Sequence, residues 1–150
     1  MIYSLFCNMF CKKSFKIVDN NIMQLPKNLQ DMTVLHQWTE TNYSMITNRL
    51  WYNISEMYYL SEDYIEKYSD DLYWFLICRY QKLSEPFLCK WEHKLSFTEI
   101  SYNDTIDWNN ISEDWIDQHL KYLDIKNISK LKNFSRKFCK KNNLDDRWCN

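Results

Sequence analysis

The sequence predicts an all-α protein, a short helical-repeat array (an α-solenoid) of helix pairs with a period of roughly 23 residues. Three observations predict it. Leu60-Ser61-Glu62-Asp63-Tyr64-Ile65 recurs as Leu83-Ser84-Glu85-Pro86-Phe87-Leu88 and Ile111-Ser112-Glu113-Asp114-Trp115-Ile116, with a worn copy at Phe134-Ser135-Arg136-Lys137-Phe138-Cys139. Every copy carries helix-start chemistry. A second recurrent position follows each start at a constant distance, at Trp74, Phe97, Ile125 and Trp148, aromatic in all but one copy, with an isoleucine three residues after the first three. An internal repeat fixes the architecture before any local propensity does.

The first helix of each unit starts at its serine. Ser61, Ser84, Ser112 and Ser135 sit where a hydroxyl can accept a free backbone N–H. Glu62, Asp63, Glu85, Glu113 and Asp114 follow in the first turn, where negative charge suits the helix dipole, and Pro86 falls where its missing N–H is harmless. The residue before each cap and the one four beyond it are Leu60/Ile65, Leu83/Leu88, Ile111/Ile116 and Phe134/Cys139, the pairing of a hydrophobic staple. The second helix starts at Trp51, Trp74, Phe97, Ile125 and Trp148, with Ile54, Ile77, Ile100 and Ile128 one turn along the same face. Ser96 with Glu99 reads as a capping box, and Asp124 as another cap. Stacked neighbours would bury these layers in common.

The starts lie 23, 28 and 23 residues apart, so about five extra residues fall within 102–110. Asn103, Asp104, Asn109 and Asn110 read as loop. Trp108 lies out of register there and either folds back on the stack or projects as a contact residue. The expected organisation is an N-terminal arm and linker over 1–32 and a helical-repeat domain over 33–150. Within that domain a capping unit covers about 33–59, and repeats start at 60, 83, 111 and 134.

The chain is 45% hydrophobic with seven tryptophans, a composition that folds. It has no glycine and no alanine. Asn, Asp and Lys must then serve the turns that glycine usually takes, and aromatic layers must space the helices. A net charge of −1 excludes a globally basic nucleic-acid binder. The charge is uneven: Glu56, Glu62, Asp63, Glu66, Asp70 and Asp71 make the centre acidic, while Lys126, Lys130, Lys132, Arg136, Lys137, Lys140 and Lys141 make the end basic. The six cysteines form no CxxC pair, and Cys78, Cys89 and Cys139 fall at or beside core positions as small hydrophobes. The apolar stretch 1–11 is too short to span a bilayer and lacks signal-peptide features. A reduced intracellular compartment is therefore expected, with the Asn-x-Ser/Thr sequons unused.

The run from Leu60 to Glu85, Leu-Ser-Glu-Asp-Tyr-Ile followed by Tyr-Trp-Phe-Leu-Ile-Cys-Arg-Tyr-Gln-Lys-Leu-Ser-Glu, resembles the "LSExFI…DWxxISxYQ" repeats of uncharacterised giant DNA virus and phage proteins. The resemblance covers about Trp51 to Trp148. It implies a viral origin, which suits the AT-rich codon bias behind so many Asn, Lys, Ile, Tyr and Phe residues. It carries over no catalytic residue.

Catalytic and metal chemistry find little support. A chain without glycine has no Gly-rich phosphate loop and no GxSxG elbow. Cys89/His93 and Cys7/Cys11 share i, i+4 spacing and could together frame a four-ligand zinc site, but core thiols and a rim histidine account for them. His119 occupies the slot of Tyr68 and Trp91, a partly buried repeat position. No enzyme activity, cofactor or metal is expected. The leading expectation is a non-enzymatic protein–protein interaction module of a viral protein, presenting exposed Tyr and Trp and the acidic centre to a host or viral protein. The alternative is a structural or assembly component of a virion or viral factory. A third reading, single-strand nucleic-acid binding through the basic end with Phe134, Phe138 and Trp148, is disfavoured by the acidic centre. Membrane association is disfavoured as well, and the expected location is host-cell cytoplasm or virion. Because each repeat residue already has a folding role, interaction residues are expected where the repeat fails: Trp108, Asn109 and Asn110 in the insertion, and Arg136, Lys137, Lys140 and Lys141 at the end.

Overall fold

A computed structural model describes residues 32–149, and it is all-α. The helices are α1 (Met32–Asn42), α2 (Asn48–Met57), α3 (Glu62–Lys67), α4 (Trp74–Tyr80), α5 (Glu85–Lys90), α6 (Phe97–Ser101), α7 (Glu113–His119), α8 (Ile125–Ile128) and α9 (Arg136–Asn142). Short 3-10 turns lie at Tyr43–Met45, Glu92–Lys94, Trp108–Asn110 and Asp146–Trp148. Calls that fall on 1–31, among them the arm and the Cys7/Cys11 pair, lie outside the described residues.

From α3 onward no helix exceeds seven residues. Helices this short do not form alone in water, so caps and packing must hold them. The caps are present: Ser61, Ser84, Ser112 and Ser135 accept the N–H of Tyr64, Phe87, Trp115 and Phe138 at 3.3, 3.4, 3.1 and 3.1 Å. Both members of every staple are buried, and Ile65, Leu88 and Ile116 are fully enclosed. Ile54, Ile77, Ile100 and Ile128 are fully buried where α2 packs on α4, α4 on α6 and α6 on α8. Trp74, Phe97 and Ile125 start α4, α6 and α8 as expected and are half-buried against this core; Trp51 instead lies inside α2, which starts at Asn48, and Trp148, half-buried, ends a 3-10 turn. Asp124 caps α8. The Ser96–Glu99 capping box does not form: Ser96 gives no side-chain cap, and Glu99 turns to Arg79 at 3.7 Å.

Helix ends manage without glycine differently from the expectation. Asn143 (φ 52°) is the one left-handed residue among those described. The other helices stop on residues with negative φ, such as Tyr68 and Trp91. Their last carbonyls are then met by long-range side chains. Gln81, buried, donates to the carbonyls of Ser55 and Tyr58 and accepts the Leu60 N–H. Asn103 donates to the carbonyls of Cys78 and Gln81, and Asn127 to that of Ser101. Lys132, 7% exposed, donates to the carbonyls of Trp108 and Ile111. Burial holds its ammonium below the usual lysine range, against the opposing pull of Glu113, Glu85 and Asp107. Buried polar groups of this kind are tolerable only when bonded.

Two further bonds recur from unit to unit. Ser55, Cys78 and Ser101 accept the N–H at the next second-helix start, from Tyr73, Ser96 and Asp124 respectively. Glu62 takes both the N–H and the hydroxyl of Ser84 at 2.6 and 3.1 Å. Glu85 does the same to Ser112 at 2.6 and 2.7 Å, and Glu113 to Ser135 at 2.5 and 2.6 Å. These glutamates therefore clamp the following unit as well as facing their own helix dipole.

The cysteines depart from the sequence expectation in two places. Cys139 is no free core thiol but is bonded to Cys149, ten residues on, which ties the last turn back to α9. Cys89 is exposed. Cys78 is buried as expected, and burial pushes its thiol up to about 11.

Candidate interaction surfaces

The insertion turns inward. Trp108 is 1% exposed, and its indole N–H donates to the Asn103 carbonyl at 3.0 Å. Asn103, expected in a loop, is fully buried and also accepts the N–H and hydroxyl of Thr105. Trp108 as an interaction residue is thus corrected to core, because an indole of this size gains most by filling the space the insertion opens. The sequence carries no register signal for this: counted back from the next cap, Trp108 lies four residues before Ser112, as Met57, Tyr80 and Leu131 lie four before Ser61, Ser84 and Ser135, and all three of those are exposed. Asn109 and Asn110 remain exposed, bonded to the Asp107 carboxylate at the turn's start.

At the basic end, Arg136, Lys137 and Lys140 are exposed, and their side chains engage no partner among the described residues. Lys141 is exposed but bound to Asp117 at 2.7 Å, an interaction that, with Asn142, holds the Asp117 carboxyl below its ordinary range. Phe134 and Phe138 are buried and stacked on each other at 5.0 Å, so neither presents a face to a nucleobase.

The acidic centre is largely consumed by internal contacts. Glu62 clamps Ser84, Glu66 binds Lys90 at 2.7 Å, Asp70 binds Lys94 at 2.8 Å and Asp71 accepts from the Tyr43 hydroxyl at 2.7 Å. A similar pair joins Lys67 to Glu40, and the His119 ring Nε2 lies within hydrogen-bond distance of a Glu92 carboxylate oxygen at 3.1 Å. His119, 5% exposed, is more deeply buried than expected. Among the described residues no group of three or more His, Cys, Asp or Glu could hold a metal ion. No helix among the described residues is long and apolar enough to cross a membrane.

The surface that sequence reasoning missed lies on the row of second helices. Phe75 and Tyr80 on α4 and Tyr102 at the end of α6 are 47%, 43% and 45% exposed. With Arg79, Thr98 and Glu99 they line an open groove of about 400 Å³. Arg79 lies over the Tyr102 ring at 5.0 Å. The Tyr102 hydroxyl donates to Asp124 at 3.1 Å, which raises its pKa and fixes the ring as the groove's far wall. On the near side Tyr73 packs edge-on against Tyr52 and Phe75, extending the aromatic surface towards α2. Met57 and Tyr59, at 48% and 70% exposure, add apolar area beyond the end of α2. The cause is local: Phe75 follows the inward-facing Trp74 by one residue and so points away from the core.

Comparison with protein-family models, with characterised proteins and with solved structures finds no match to this chain.

Proposed function

We propose that the chain is a short α-solenoid with a unit of roughly 23 residues that serves as a non-enzymatic protein–protein interaction module, of viral origin, for a host or viral protein. The observation that carries this reading is the difference between its two helix rows. In the units before the last, the first-helix row pairs most of its charges internally. The second-helix row leaves Phe75, Tyr80 and Tyr102 around an open groove with a single arginine. Large exposed aromatics rimmed by polar groups are what protein interfaces select for. The insertion and the acidic centre contribute rigidity to this module, not contact.

The test is affinity capture from infected cells with the wild type and with Phe75→Ala/Tyr80→Ala/Tyr102→Ala, both checked for an unchanged helical circular dichroism signal. The expected result is a partner held at fixed stoichiometry by the wild type and lost by the variant. Equal retention by the folded variant would place the contact elsewhere.

A further inference from the structure

The first-helix strings align from their cap serines as Glu62-Asp63-Tyr64-Ile65-Glu66-Lys67, Glu85-Pro86-Phe87-Leu88-Cys89-Lys90, Glu113-Asp114-Trp115-Ile116-Asp117-Gln118 and Arg136-Lys137-Phe138-Cys139-Lys140-Lys141. The first and fifth positions of each string are i, i+4 neighbours on one helix face. In the units before the last, this face points to the next unit. Its first position grips the next cap serine through Glu62, Glu85 and Glu113. Its fifth position, where acidic, grips the next unit's sixth: Glu66 holds Lys90 and Asp117 holds Lys141. Where the fifth position is Cys89, the next sixth is Gln118, and no ion pair joins them. The pairing is therefore followed even in its exception.

In the last unit both positions change sign together, to Arg136 and Lys140, and both are exposed without partners among the described residues. A further unit of the same kind would offer a serine and a lysine there, which Arg136 and Lys140 cannot hold. We propose that this face of α9 docks a partner protein through an acidic helix, seated as a further unit's first helix would be, with one carboxylate in place of the cap serine and a second six residues on. Arg136 offers a planar fork to the first carboxylate, and Lys140 a point charge to the second. A helix is favoured over a nucleic acid on two counts. Glu113, Asp114 and Asp117 on the adjoining α7 repel an extended polyanion, and the aromatic rings nearby, Phe134 and Phe138, are buried. The proposal uses a surface separate from the Phe75–Tyr102 groove, so either can fail alone.

The test is an NMR titration of the full chain, in its wild-type form and as Arg136→Glu/Lys140→Glu. One probe is a designed alanine-rich helical peptide with aspartate as N-cap and glutamate six residues on. The second is the same peptide with serine and lysine at those positions, and the third is a fifteen-residue oligo(dT). The expected result is binding of the acidic peptide with shifts confined to 135–142 and a clear weakening between 50 and 200 mM salt, as exposed ion pairs require. The double reversal should lower that affinity by about thirtyfold, roughly two exposed pairs at the upper end of their range, and should shift preference to the serine–lysine peptide. Phe75→Ala/Tyr80→Ala/Tyr102→Ala should leave the acidic peptide bound. Absence of binding at millimolar peptide, indifference to the double reversal, or tighter binding of oligo(dT) through the same residues would each overturn the proposal.

Discussion

The Glu113–Ser135 clamp allows a quantitative test, because two different physical roles for the glutamate predict different couplings. Glu113 lies in the first turn of α7, where a carboxylate gains about 0.3–1 kcal/mol from the helix dipole. It also receives the N–H and hydroxyl of Ser135 at 2.5 and 2.6 Å. Hydrogen bonds to a charged group contribute about 1.5–3 kcal/mol when shielded. Ser135 is exposed, so water replaces much of this on removal. We therefore expect Glu113→Ala to cost about 1–2 kcal/mol in all. Ser135→Ala removes the α9 cap and one arm of the clamp, at about 1 kcal/mol. If the clamp operates, the double mutant is less destabilised than the sum of the singles by about 0.5–1 kcal/mol, the range found for residues in one network. Urea denaturation of the four proteins measures this, and hydrogen exchange should place the lost protection at 134–149. A coupling below about 0.3 kcal/mol, the scatter of independent sites, would show that Glu113 serves only its own helix and would sink the clamp.

The remaining expectations are briefer. Trp108→Ala should cost about 3–5 kcal/mol, as for a fully enclosed tryptophan, measured by thermal or urea unfolding; a loss under about 1 kcal/mol would return Trp108 to the surface. Reduction of Cys139–Cys149 should destabilise by about 2–3 kcal/mol on chain-entropy grounds for so short a loop, with limited proteolysis cutting first within 143–149; Cys149→Ser should reproduce this without reductant. Cys78→Ser should be tolerated and Cys78→Val should not, because the position must accept the Ser96 N–H; thermal melts that rank valine above serine would contradict this. Glu66, Asp70 and Asp117 are held below their ordinary values chiefly by hydrogen bonds from Lys90, Lys94 and Lys141. A depressed carboxylate stabilises fully above its unfolded pKa and loses that contribution as pH falls through its folded value. Melting temperature should therefore hold above pH 4.5 and decline below pH 3.8, the ordinary values of these groups, with the decline reduced in Asp117→Asn.

What the sequence revealed was local. Caps, staples and the aromatic–isoleucine spacing each act within one turn of helix, so Ser61, Ile65, Ile77, Leu88 and Ile116 could be placed without knowing what they meet. Roles set by a neighbour 20 or more residues away were harder. Glu62, Glu85 and Glu113 satisfied a dipole rule, and that sufficient explanation hid their clamp on the next serine. Gln81, Asn103 and Lys132 carry polar side chains that argue for exposure, yet the short helices leave carbonyls inside that only long polar side chains can reach. Trp108 was illegible because its burial depends on the space the insertion opens, and its register-mates Met57, Tyr80 and Leu131 are exposed. The Phe75–Tyr102 surface went unnoticed because Phe75 stands beside Trp74 and Leu76 in an apolar run, where one-sided burial does not show. The Cys139–Cys149 pair has no spacing rule to betray it.

The step between the Ser84 and Ser112 units shows how the contacts compensate one another. It alone lacks the ion pair between the fifth and sixth positions, since Cys89 faces a unit carrying Gln118. The same step holds the insertion, and with it the buried Trp108, Ile106 and Asn103. Exposed ion pairs contribute at most about 1 kcal/mol, whereas one enclosed tryptophan contributes several. The exchange therefore strengthens the step. It also fixes the groove, because Tyr102, the far wall, leads directly into Asn103, whose side chain is tied to the carbonyl of Cys78 within α4, the helix that forms the near wall, and to that of Gln81 just past its end. An insertion expected to make contacts instead holds rigid the aromatic surface proposed to make them, and rigid aromatic surfaces lose the least entropy on binding.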